Sequence, residues 1–111
     1  MISNKLISDA VNMIADNISS IAIGTGSEPL PDDTDLDQKT IEKEGTTYID
    51  DNTIIAELYI DETEGNDVLF TNVGIFSSLE LYAGGAINEI KDSTQSLTVS
   101  IEISIERGWY V

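Results

Sequence analysis

Apolar residues near the start of the chain recur at steps of three and four. Ile2, Leu6, Ala10, Met13 and Ile14 form a stripe, widened by Ile7, Val11 and Ile18. Asn4, Ser8, Asp9, Asn12 and Asp16 fill the opposite side. That period predicts an amphipathic helix over residues 2–19, with Ser3 as its N-cap. The period then shortens to two. Ile21-Ala22-Ile23-Gly24 reads as a short strand that breaks at Gly24-Thr25-Gly26. Residues 27–39 read as an acidic loop punctuated by Pro29 and Pro31. Residues 40–49 read as a weak strand with a turn at Gly45, and 50–52 as a further turn. Residues 53–60 are a clear strand with Ile54, Ala56, Leu58 and Ile60 on one face. A charged loop, 61–67, leads into 68–76, apolar enough to be buried on both sides. Segments 79–83 and 86–90 read as a hairpin across Gly84-Gly85. After a turn at 91–94, Leu97, Val99, Ile101, Ile103 and Ile105 alternate with Thr98, Ser100, Glu102, Ser104 and Glu106. This is the cleanest strand of the chain, with one apolar and one polar face.

These elements predict one mainly β domain over 1–111, an antiparallel sandwich or barrel with a single N-terminal helix. The helix would take 1–19 and the sandwich 20–111, with the acidic loop inside it. Hydrophobic residues make up 41% and aromatic ones only 6%, so the core must be aliphatic, and isoleucine dominates the strand-like runs.

Composition narrows the chemistry. The chain has no Cys, which removes disulfides, thiolate metal sites and cysteine nucleophiles. It has no His either, which removes the commonest general base and transition-metal ligand. The expectation is a protein that is not an enzyme and needs no cofactor. Twenty-one acids face five bases, a formal charge of -16. Such a chain repels nucleic acid and anionic membranes, and no apolar stretch reaches the length of a membrane span. No signal peptide is expected, so synthesis in a host cytoplasm follows. The acidity suits either an ordinary acidic domain or a high-salt habitat, where screening removes self-repulsion.

Candidate sites are few. Asp33, Asp35 and Asp37 alternate as calcium ligands would, and Glu44 falls at the twelfth position. Gln38 stands where the sixth position of such a loop needs Gly, and Lys39 and Lys43 intrude, so a solvated acidic loop is the better reading. Gly24-Thr25-Gly26 lacks the following helix and the Lys of a phosphate cradle. Acid pairs such as Glu102/Glu106 and Asp61/Glu62 arise by chance among so many carboxylates. Trp109 and Tyr110 could dock on the chain's own core or anchor a neighbouring subunit. Together with Ile2 and Leu6 they are the candidate interface residues.

The order Ile21-Ala22-Ile23-Gly24-Thr25-Gly26, a Pro- and Asp-rich loop with Asp35-Leu36, then Thr71-Asn72-Val73-Gly74-Ile75-Phe76 and a long alternating strand resembles a known family. It is similar to the small structural domains of tailed-virus tails, of the tail-collar fibre and baseplate-associated type. Asn72 stands where that pattern often has Glu, and no long fibre-forming extension follows. The resemblance implies a virion structural protein, a tail, baseplate or fibre-attachment adaptor located in the virion tail. It implies partners among other virion tail proteins, a homo-oligomer (ring or trimer) and no cofactor. The alternative is a stand-alone carbohydrate- or ligand-binding β-domain, for which Tyr48, Tyr59, Tyr82, Trp109 and Tyr110 are the available aromatics.

Overall fold

The Ser3 hydroxyl accepts a hydrogen bond from the Leu6 amide at 3.2 Å and opens helix α1 (Asn4–Asn17). The computed structural model describes residues 1–106 of the chain. After α1 come β1 (Ser20–Gly24), β2 (Lys39–Lys43), β3 (Thr46–Asp50), β4 (Thr53–Ile60), β5 (Phe70–Ser77), β6 (Glu80–Glu89) and β7 (Leu97–Ser104). They form two antiparallel sheets, one of order β2-β1-β5-β6 and one of order β3-β4-β7. The chain is therefore mainly β with one N-terminal helix, as its periodicity predicts. It crosses between the sheets at Glu44-Gly45, where the expected weak strand divides into β2 and β3.

The core lies between the inner faces. Ile21, Ile23, Val73 and Ile75 meet Ala56, Leu58, Ile60 and Val99, with Phe70 beside them. Each such side chain, fully withdrawn from water, contributes about 1.5–3 kcal/mol before entropy is charged against it. The four-stranded sheet does not cover the Ile54 end of its partner. There α1 supplies the second layer, laying Ile7 and Val11 on Ile54, with Ile14, Ala15, Ile18, Ile103 and Ile105 around them. The outcome is an elongated body of 53 × 27 × 22 Å.

A third layer covers the outer face of the four-stranded sheet. Leu36 of the acidic loop drops into a small cluster with Ala22, Phe76 and Leu81. The Leu81 amide donates to the Thr34 carbonyl at 2.8 Å and pins the loop to β6. This layer explains why β5 is buried on both faces.

Several expectations change. The two-residue hairpin expected at Gly84-Gly85 does not form: both glycines lie inside the ten-residue strand β6, opposite Gly74 and Val73. The turn lies earlier, at Ser78-Leu79, and Ser78 takes φ 57. Gly84 is needed for close approach, since a Cβ there would sit 2.6 Å from the Val73 carbonyl oxygen and 2.7 Å from Pro29. Val68 and Leu69 precede β5 instead of opening it. The helix is shorter than 2–19, and its buried ridge runs through Ile7 and Val11, which leaves Leu6 and Met13 in solvent. Trp109 and Tyr110 lie outside the described residues.

Candidate assembly surfaces

The motif residues converge on one interlock. Asn72, on β5, is wholly buried, and its Nδ2 donates to the carbonyls of Ser27 and Asp37, both at 2.9 Å. Among the described residues its Oδ1 has no hydrogen-bond partner, and it faces Gly24. A Cβ on Gly24 would stand 2.6 Å from that oxygen and 2.6 Å from the Gln38 carbonyl, so only glycine fits. Thr71 adds a bond from its hydroxyl to the Gly26 carbonyl at 2.6 Å. Gly24, Gly26, Leu36, Asn72, Gly74 and Phe76, spread over fifty residues of sequence, thus clamp the loop to the sheet.

The three candidate calcium ligands are occupied as loop braces. Asp33 accepts from the Leu30 amide at 2.8 Å, and Asp37 from the Ser27 amide and hydroxyl at 3.0 and 3.2 Å. Asp35 accepts from the Leu36 amide and faces Lys39 at 3.3 Å. The Leu36 amide first, and Lys39 after it, hold its carboxyl below the usual carboxylate range. Among the described residues no group of three acids is placed to hold a metal ion. Lys39 also lies over the Phe76 ring, 4.6 Å from its centroid, and joins the interlock from above.

Among the described residues Ile49, Leu69 and Ile90 are exposed, and further exposed apolar side chains fall on α1, beside β6 and at the β5–β6 turn. On α1, Leu6 and Met13 are 54% and 59% exposed and flank Ala10. Of the two interface candidates there, Leu6 is open to a partner, whereas Ile2 is half-buried against the Ile7 cluster. Beside β6, Leu30 and Tyr82 border an open groove of about 210 Å³ between Pro29–Pro31 and Leu81–Gly84. At the β5–β6 turn, Leu79 stands almost wholly in solvent. The Leu30–Tyr82 patch was not visible in the sequence, because it joins residues from separate segments.

The outer face of the three-stranded sheet is acidic and carries two tyrosines. Register places Thr46, Tyr48 and Asp50 beside Thr53, Ile55, Glu57 and Tyr59, and these beside Thr98, Ser100, Glu102 and Ser104. The Tyr48 hydroxyl donates to Glu57 at 3.0 Å, and that bond raises its pKa.

At the far end, Lys91 is 3% exposed, unusual for a charged group. Its ammonium donates to Asn66 Oδ1 and to the Asp92 carbonyl, and the Asp67 amide returns a bond to its own carbonyl at 2.7 Å. Lys43 closes the same end on Glu64 at 2.5 Å and on the Tyr59 carbonyl at 3.3 Å. These lysines staple the acidic 61–67 loop, a role that sequence spacing could not reveal. Comparison with family models, with curated proteins and with solved structures found no match.

Proposed function

We propose that the chain is a structural subunit of a tailed-virus particle, a tail, baseplate or fibre-attachment adaptor that works through protein–protein assembly. Its partners are other virion tail proteins and further copies of itself, in a ring or trimer. The observation that carries this reading is the interlock: the segments that resemble tail domains are the ones that clamp together through Asn72, Gly24 and Leu36. The motif therefore specifies a scaffold, and the surface beyond it is left for contacts. The exposed Leu6–Met13 shoulder and the Leu30–Tyr82 groove support the same reading, since grouped apolar side chains on a small acidic domain mark contact sites. The test is to label the chain with gold-conjugated antibody on purified particles of its source. Label at the tail is expected; label nowhere on the particle overturns the proposal.

A second reading, a carbohydrate- or ligand-binding β-domain, draws on one observation. Tyr48 and Tyr59 are both exposed on an acidic sheet face with hydroxyl-bearing neighbours. A glycan array separates the two. Binding abolished by Tyr48→Ala or Tyr59→Ala favours this second reading, and an empty array favours assembly.

A further inference from the structure

Four strands form sheet edges: β2, β6, β3 and β7. An unpaired edge is a template for another strand, and proteins blunt it with charges, bulges or cover. β2 carries Lys39, Glu42 and Lys43 among five residues. β6 carries two register shifts, and the acidic loop takes its Leu81 amide. β3 is five residues long, ends on Asp50, and has α1 packed against it. Among the described residues, β7 has none of these devices. Its eight residues pair with β4 in unbroken register, without Pro, Lys or Arg, and with Glu102 as the one charge. The core is also unfinished beside it. Ile54, Ala56, Leu58 and Ile60 on β4 are fully buried, whereas of their β7 partners only Val99 is buried and Ile103, Ile101 and Leu97 are half-buried.

We propose that β7 pairs antiparallel with β7 of a second copy of this chain, which joins the two three-stranded sheets into one of six. Charge selects this occupant. Residues directly opposite in an antiparallel pair share a face. A twofold axis at Ser100 sets Leu97 against Ile103 and Val99 against Ile101 of the second copy on the apolar face. On the polar face it sets Ser100 against Ser100 and Thr98 against Glu102. An axis at Ile101 sets Glu102 against Ser100. Neither register opposes two carboxylates, so a chain of charge -16 meets itself along an eight-residue edge strand that carries a single charge. The contact is isologous, and it leaves the α1 shoulder free for ring or trimer contacts. The inference deepens the assembly reading and rests on it for biological meaning, but its test stands apart.

The measurement is sedimentation velocity on the full chain over a wide concentration range, at low salt and in about 1 M KCl, where the Debye length is about 3 Å. A dimer that tightens with salt is expected. Ser100→Glu places a carboxylate opposite either itself or Glu102 of the second copy and should raise the dimer Kd by about a hundredfold. It also places that acid beside Glu57 on β4, so Thr46→Glu, which meets the same Glu57 from β3, is the matched control and should dimerise like wild type. A wild-type monomer under all conditions overturns the inference, as does a Ser100→Glu chain that dimerises normally. If either occurs while gold still labels tails, this contact fails and the assembly reading survives.

Discussion

The side-chain amide of Asn72 donates to the Asp37 carbonyl at 2.9 Å, across thirty-five residues of sequence, from a position with no solvent exposure. Through it a β5 residue holds the acidic loop as a third layer on the sheet. Asn72→Ala strands the Ser27 and Asp37 carbonyls and should cost about 1–3 kcal/mol. Asn72→Asp should cost more near neutral pH, because a carboxylate would face two carbonyl oxygens. Burial and those oxygens raise the folded pKa of that Asp above its unfolded value, so its penalty should shrink as pH falls toward about 4. Urea denaturation of both variants at two pH values checks this; a penalty independent of pH for the Asp variant would contradict it.

Gly84 and Gly85 are neighbours with opposite surroundings. A Cβ at Gly84 meets the Val73 carbonyl and Pro29, whereas one at Gly85 meets nothing within 4 Å. Gly84→Ala should destabilise by about 1–3 kcal/mol. Gly85→Ala should stabilise by about 0.5–1 kcal/mol, since glycine weakens a strand interior. Melting of the two variants decides it, and equal shifts would contradict the register of β6.

The strand pattern was largely legible because β4 and β7 obey a strict period of two, and Ser3 marked the helix start. The Gly84-Gly85 turn was misread because two glycines signal a hairpin unless something packs on them, and Pro29 lies more than fifty residues away. The helix was read as a broad stripe, yet Ile7 and Val11 bury while Leu6 and Met13 do not. Which side of the stripe faces inward is set by the tertiary fit to Ile54. Leu36 and Asn72 stand out as motif positions, but their roles were not legible: Leu36 packs on Ala22, Phe76 and Leu81 from distant strands, and the partners of Asn72 are backbone carbonyls. The Asp33, Asp35 and Asp37 spacing left a solvated acidic loop as the better reading over a calcium site, but alternation is blind to partners, and the bracing of the loop by each carboxylate was not legible.

Depth of burial sets the cost of truncation along the paired strands. Ile54→Ala, at a fully buried position, should cost about 2–5 kcal/mol. Ile103→Ala, directly opposite on β7 but half-buried, should cost less, and Glu102→Ala on the exposed face should be nearly neutral. Chemical denaturation of the three variants orders them; a cost for Ile103→Ala equal to that of Ile54→Ala would mean that β7 has a covered edge in the isolated chain.

Acid should loosen two turns before the core. Asp61 accepts from the Thr63 hydroxyl and amide at 2.6 and 2.8 Å, and Asp92 from those of Thr94 at 2.5 and 2.8 Å. In each the hydroxyl bond, then the amide bond, lowers the carboxyl pKa. A depressed folded pKa means that the unfolded chain binds protons first. The stabilisation is therefore present above the unfolded value of about 3.9 and is lost as pH falls through the folded one. Asp61→Asn and Asp92→Asn keep an acceptor and remove the titration, so the stability of the double variant should fall less steeply below about pH 4 than that of wild type. Denaturation midpoints across that range give the comparison, and identical slopes would contradict it.

Assembly into a particle is the central claim of the proposed function, and a density gradient of purified tailed particles from the source tests it most directly. The chain, quantified by mass spectrometry, should travel with the particle band at a constant number of copies per tail and stay there through repeated banding. A chain found with the soluble protein at the top of the gradient, and absent from the band, would contradict the structural-subunit reading.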